Sequence, residues 1–154
     1  MQHKLRLDLD DYLPYLVNRV GRAAVETFTV DTLAAEELTI DMWRALVALS
    51  HGGAQRQVDL SARTSIEASS LSRVAARLEG MGFVARQRSK TSSREVMVAL
   101  SPKGSALVAR LIPSALKLED AATKGIPAKD VQVLKRTLRL VFANLARNKN
   151  GLGV

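Results

Sequence analysis

The chain has no cysteine and only two histidines, His3 and His51. Disulfides, thiolate nucleophiles and thiol redox sensing are therefore excluded. Two histidines far apart, with no ligand spacing around either, offer no zinc site. Aromatic residues make up 4% of the 154 positions, too few for the stacking platforms on which many single-strand binders lay their bases, which favours a duplex partner. No run approaches the roughly 20 apolar residues of a membrane span, and the start, Met1 to Asp8, turns charged too soon for a signal-peptide core. A cytoplasmic protein without a membrane partner is expected. Glycine-rich phosphate loops, nucleophile elbows and His-Glu pairs at metal spacing are missing as well. The acids gather at Asp8 to Asp11 and Glu36 to Asp41, where they read as charges at helix N-termini. The sequence thus calls for no enzyme: no catalytic residue, metal ligand or cofactor is assigned.

What is present is basic charge. Twenty-three lysines and arginines against 15 acids give a net charge of +8 and a pI near 10.3, a balance that fits a polyanion. A hydrophobic fraction of 47% marks a globular chain, long enough for one domain or one protomer of a small assembly.

The stretch from Gln57 to Leu100 carries the strongest local signals. A helix from Ser65 to Gly80 sets Leu71, Val74 and Leu78 on one buried face. Opposite them stand Ser69, Ser72, Arg73 and Ala76, with Arg77 towards the flank, on a surface free of acid until Glu79. A solvated face is the bland alternative. Short side chains that allow close approach, and arginines that fit guanine edges or phosphates, favour DNA. Before this helix, Gln55 to Ser65 reads as a helix of a few turns with Val58 and Leu60 inside, followed by a tight turn from Arg63 to Ser65. Helix, short turn, helix is the outline of a helix-turn-helix. After it, Gly80-Met-Gly82 stops the helix. Phe83 to Ser89 and Glu95 to Leu100 read as strands, with Val96, Val98 and Leu100 alternating to one face. The basic segment Lys90 to Arg94 between them makes a hairpin with a charged tip, a wing.

The flanks read as helices. Leu9, Tyr12, Leu13, Leu16, Val17, Val20, Ala24, Val25 and Phe28 form a wide apolar stripe from about Asp8 to Leu33, with Pro14 in its first turns. Thr39 is a plausible N-cap for Ile40 to Ser50, which packs Trp43, Leu46, Val47 and Leu49. Ser101-Pro102 caps a helix reaching towards Lys124 through Leu107, Val108, Leu111, Leu116 and Leu118, with a kink expected at Pro113. Gly125-Ile-Pro127 breaks it. Ala128 to Arg147 forms the last helix, with Val131, Leu134, Leu138, Val141, Phe142 and Leu145 on one side and a frayed tail from Asn148 to Val154. The terminal stripes exceed what one protomer can cover, which points to a second copy.

Leu38-Thr-Ile-Asp-Met-Trp-Arg-Ala-Leu-Val-Ala-Leu49, Leu60-Ser-Ala-Arg-Thr64, Ser70-Leu-Ser-Arg-Val74, Arg77-Leu-Glu-Gly-Met-Gly-Phe-Val-Ala-Arg86 and Leu100-Ser-Pro-Lys-Gly104 together resemble, in order and spacing, the MarR family of bacterial winged-helix transcription regulators. The resemblance spans almost the whole chain. Where the family's wing usually carries an acid two positions before an arginine, Arg94 matches and Ser92 departs. The fold it implies is mainly α with a small β wing: a winged helix-turn-helix flanked by N- and C-terminal dimerisation helices. Residues 1–154 would form one protomer, 39–100 the DNA-binding lobe, and 1–38 with 101–147 the dimerisation helices.

The function expected is a sequence-specific, duplex-binding transcription regulator, a homodimeric repressor that reads a pseudo-palindromic operator and is released by a small aromatic or carboxylated effector. The alternative is a basic nucleoid-like protein without sequence preference. DNA contacts are assigned to Gln57, Arg63 and Thr64 on the first helix and its turn, to Ser69, Ser70, Ser72, Arg73 and Arg77 on the second, and to Arg86, Arg88, Lys90 and Arg94 on the wing. The effector pocket that the resemblance implies would draw on Arg19, Trp43, Arg44 and His51, although Trp43 reads more readily as core.

Overall fold

The computed structural model describes residues 6–92 and 94–147. His3 and the tail from Asn148 lie outside the described residues. Two units divide the chain, Met1–Leu118 and Glu119–Val154.

The first unit opens on a 3-10 turn, Leu9–Asp11, whose Asp10 amide donates to the Asp8 carboxylate at 3.0 Å. Helix α1, Leu13–Phe28, follows with Pro14 in its first turn, where a missing amide costs least. The periodicity predicts one helix to Leu33. Instead the chain widens into a π turn, Thr29–Leu33, tightens into a 3-10 turn, Ala34–Glu36, and reverses at Glu37 with φ 56°. Geometry supplies the reason. Five residues of regular α-helix would turn Leu33 about 140° away from Phe28, whereas i→i+5 bonding brings the two towards one side. Both are buried, together with Leu38.

Helix α2, Ile40–Gly52, begins where the Thr39 hydroxyl accepts the Met42 amide at 3.3 Å. It buries Met42, Trp43, Ala45, Leu46 and Leu49, and the Trp43 ring lies 5.5 Å from that of Phe28. Strand β1, Gln55–Arg56, then precedes helix α3, Gln57–Thr64, and helix α4, Ala68–Gly80. Strands β2, Val84–Arg88, and β3, Val96–Leu100, form the hairpin, and the antiparallel sheet runs β1-β3-β2. Its register pairs Val84 with Leu100, Arg88 with Val96, and Gln55 with Val98.

Two expectations fail here. Gln55 and Arg56 are strand, not helix, because the edge of β3 offers them a ladder. Val58 is 62% exposed while Leu60 is fully buried: two residues apart on a helix is about 200°, so both cannot face inward.

Helix α5, Pro102–Ala122, runs through Pro113 as one element and ends two residues short of Lys124. The Ser101 hydroxyl accepts the Gly104 amide at 3.0 Å and donates to the Gly82 carbonyl at 2.6 Å, fixing the helix start to the hairpin's entry. Leu107, Val108 and Leu111 join the core, so it reaches beyond residues 39–100 on both sides; Leu116 stays exposed. Arg110 donates to Glu36 at 3.0 Å, and that hydrogen bond holds the Glu36 carboxyl below its ordinary value.

In the second unit, Gly125 at φ 82° and Pro127 turn the chain into helix α6, Ala128–Arg147, with the bounds the sequence predicts. Lys135 pairs with Glu119. No residue of α6 is buried; Leu134, Leu138, Phe142 and Leu145 are all exposed. On α1 the same is true of Leu13, Leu16, Val17 and Val20. Among the described residues no helix is long and apolar enough to cross a membrane, and no three acid, histidine or cysteine side chains gather at a metal-sized site.

Candidate nucleic-acid interface

The turn between α3 and α4 is set by local chemistry. Ser65 takes the left-handed conformation at φ 57°, and Ile66 drops into the core. The Ser61 hydroxyl donates to the Ile66 carbonyl at 2.6 Å, and that of Thr64 to the Leu60 carbonyl at 2.7 Å. Thr64 thus turns its proton inward, onto its own helix.

Helix α4 starts at Ala68, three residues later than Ser65, because Glu67 serves as its cap. The Glu67 carboxylate accepts the amides of Ser69 at 3.0 Å and Ser70 at 3.2 Å, and also the Ser69 hydroxyl. The Ser69 hydroxyl, and then the two amides, push its carboxyl below the ordinary glutamate value. A carboxyl depressed by folding stabilises above its unfolded pKa and loses that contribution as pH falls through the folded one, so acid loosens the tip of α4.

Leu71, Ala75 and Leu78 anchor α4, with Val74 half-buried beside them. Ser69, Arg73, Ala76 and Arg77 are exposed, and Ser70 and Ser72 half-buried. Arg73 donates to the Ser70 hydroxyl at 3.2 Å, which lays its guanidinium along the helix towards its N-terminus. Arg77 makes no ion pair among the described residues.

On the wing, Arg88, Lys90 and Arg94 are exposed. Arg86 differs. Its side chain meets Glu79 of α4 at 2.7 Å, and its own amide donates to the same carboxylate at 3.2 Å. The Arg86 hydrogen bond holds the Glu79 carboxyl low. Arg86 therefore ties β2 to α4 and is not a free cation. Gln57 is half-buried, with Oε1 closed from solvent and unpartnered, in a cavity of about 200 Å³ shared with Arg56, Val58, Ala68, Arg94, Glu95 and Val96. Arg63 is exposed and lies across Gly52, where a Cβ would meet its Nη1 at 2.5 Å.

The four proposed effector residues are not brought together. Trp43 is core. Arg44 bonds Asp41 at 3.3 Å and lines an open groove with Ile40 and the α1 residues Asn18, Gly21, Arg22, Val25 and Glu26. Arg19 is exposed on α1 outside that lining, and His51 is exposed near the C-terminus of α2. Arg22, three residues beyond Arg19, lines that groove, and helical phase alone does not separate the two arginines.

No curated protein matches the chain. Residues 38–96 match the MarR family model, which covers α2 to the start of β3. A MarR-family transcriptional regulator from Silicibacter pomeroyi shares 29% identity and superposes with a TM-score of 0.81 over 91% of this chain and 96% of its own. BpsR of Bordetella bronchiseptica, whose DNA binding is regulated by 6-hydroxynicotinic acid, shares 26% identity with a TM-score of 0.77, over 84% of this chain and 97% of its own. A MarR variant from E. coli complexed with operator DNA has the same fold at 23% identity, with a TM-score of 0.75 over 84% and 92% of the two chains. Over residues 38–96, from α2 to the start of the wing's second strand, the chain thus carries the pattern of the MarR family, and over most of its length it is similar in fold to MarR-family transcriptional regulators.

Proposed function

We propose that the protein is a homodimeric repressor that inserts α4 into the major groove of a pseudo-palindromic operator, lays its wing against the neighbouring backbone, and lets go when a small organic anion binds. The observation that carries this reading is the division among its basic residues. Glu79 occupies Arg86, while Arg73 and Arg77 on α4 and Arg88, Lys90 and Arg94 on the wing stay exposed on the same lobe. Exposed arginines on a helix lined with serines suit base edges, and cations on a hairpin tip suit phosphates or the minor groove.

A second copy is supported by the uncovered apolar faces of α1 and α6. An organic anion is supported by Arg22 and Arg44 in the groove beside Val25 and Ile40, and by the likeness to BpsR, which responds to 6-hydroxynicotinic acid.

Selection from random duplexes, followed by binding isotherms at several salt concentrations, tests the assignment. Arg73→Ala should cost about 1 to 3 kcal/mol on the selected duplex and relax preference at a single position per half-site. Lys90→Ala should weaken selected and scrambled duplexes alike and lower the salt slope by about one. Half-sites should recur roughly one helical turn apart. Equal affinity for selected and scrambled duplexes would instead make this a nucleoid-like protein.

A further inference from the structure

We propose that Arg56 is a wing-positioning residue: held by Asp59 at the start of α3, it tethers Glu95 at the root of the wing and so sets where the wing stands relative to α4. The consequence for DNA rests on the duplex-binding reading above; the clamp itself rests on geometry.

Arg56 ends β1, a strand of only two residues, and its backbone faces Met97 of β3. Its Nε donates to Asp59 Oδ2 at 2.7 Å and its Nη2 to Asp59 Oδ1 at 3.0 Å, so that both carboxylate oxygens grip one edge of the guanidinium. A fork held in this way has a fixed plane. The remaining Nη1 donates to Glu95 Oε1 at 3.1 Å, 39 residues further along the chain. Glu95 in turn closes the wing loop with its own backbone: its carbonyl accepts the Ser89 amide at 2.7 Å, and its amide donates to the Ser92 carbonyl at 3.2 Å. Whatever fixes Glu95 therefore fixes both ends of the loop that carries Lys90.

The charges argue against a simpler role for Arg56 as a phosphate contact. Two carboxylates bond one guanidinium, so Arg56 itself offers a phosphate no uncompensated charge. Its pairs are also largely exposed, with side chains 47%, 48% and 35% accessible for Arg56, Asp59 and Glu95. Pairs of this kind add little to overall stability. Their effect falls on orientation, where a two-residue edge strand leaves the wing root weakly held.

Hydrogen exchange on the free protein decides the clamp. In Glu95→Gln, and separately in Arg56→Lys, which keeps the charge but loses the fork, amides of β3 and the wing loop should exchange about two- to fivefold faster, with the thermal midpoint nearly unchanged. Unaltered exchange in both variants overturns the proposal. Duplex binding gives an independent arm. Removing the Glu95 carboxylate from a DNA-binding lobe should tighten binding on charge alone, whereas loss of the clamp weakens it about two- to fivefold and shrinks the further cost of Lys90→Ala. Tighter binding by Glu95→Gln also overturns it. If the unaltered protein binds no duplex, the regulator reading falls, and exchange still judges the clamp.

Discussion

A protein carrying Leu16→Glu and Val20→Glu should sediment as a monomer and, if the proposed dimer holds, bind a two-half-site duplex about 100- to 10,000-fold more weakly than the unaltered protein. The size of the loss is the avidity of two linked sites reduced to one. Leu13, Leu16, Val17 and Val20 recur at helical spacing and so share a face of α1, and their exposures run from 36% to 68%. Phe28 is the one buried residue of that helix. Two glutamates on the outer face therefore leave the protomer's own packing alone while placing charge where a second copy would have to desolvate it. Sedimentation velocity reads the assembly, and circular dichroism should find the helices retained. A stable dimer of the double variant would remove α1 from the interface. Beginning the chain at Thr39 would be a poor substitute: it deletes Phe28, Leu33 and Leu38 from the core of the winged lobe and confuses unfolding with dissociation.

The helices were legible where a single local device defines them. Thr39 caps α2, Ser101 and Pro102 open α5, and Gly125 with Pro127 sets the start of α6. The hairpin was legible from alternation. What was hidden depends on partners distant in sequence, or on a departure from regular geometry. A two-residue strand has no period, so Gln55 and Arg56 became visible as β1 only beside β3. Placing Val58 and Leu60 together applied a strand's spacing to a helix. Nothing local announces a π turn at Thr29–Leu33.

The candidate interface follows the same division. Residues exposed on the α4 face could be placed from phase, and Arg73 and Arg77 lie where phase puts them. The state of Arg86 could not, since Glu79 reaches it from the preceding helix. Glu67 looked like an interior residue until Ser65 turned left-handed and moved the helix start to Ala68. The residues of the effector assignment are not gathered in one place: Trp43, Arg44 and His51 lie on one helix but face the core, a groove and solvent respectively, a separation set by tertiary packing.

Replacing Gly104 with alanine should destabilise the winged lobe by about 2 kcal/mol or more, the net of an overpacking cost near 3 and a helix-propensity gain near 1. Gly104 is buried in the first turn of α5, where the helix passes the entry to β2. A Cβ there would overlap the Phe83 carbonyl oxygen, with the Phe83 carbonyl carbon at 3.0 Å and Leu100 Cδ2 at 3.1 Å. The obstacle is backbone, so no rotamer change relieves it. Nor can the backbone retreat freely. The Phe83 carbonyl accepts the Ser101 amide at 3.0 Å, the Gly82 carbonyl accepts the Ser101 hydroxyl at 2.6 Å, and Lys103 Nζ donates to the Met81 carbonyl at 2.9 Å. Moving Phe83 breaks the joint between α5 and the hairpin and displaces β2 with it. Thermal unfolding followed by circular dichroism should show the midpoint falling by roughly 6 °C. Gly80→Ala is the control, because a Cβ at Gly80, the last residue of α4, meets nothing within 4 Å. Equal midpoints for the two variants would show that the α5 start yields at no cost. Below the transition, Gly104→Ala should also bind duplex more weakly than Gly80→Ala, since the wing leaves the core at the displaced residue.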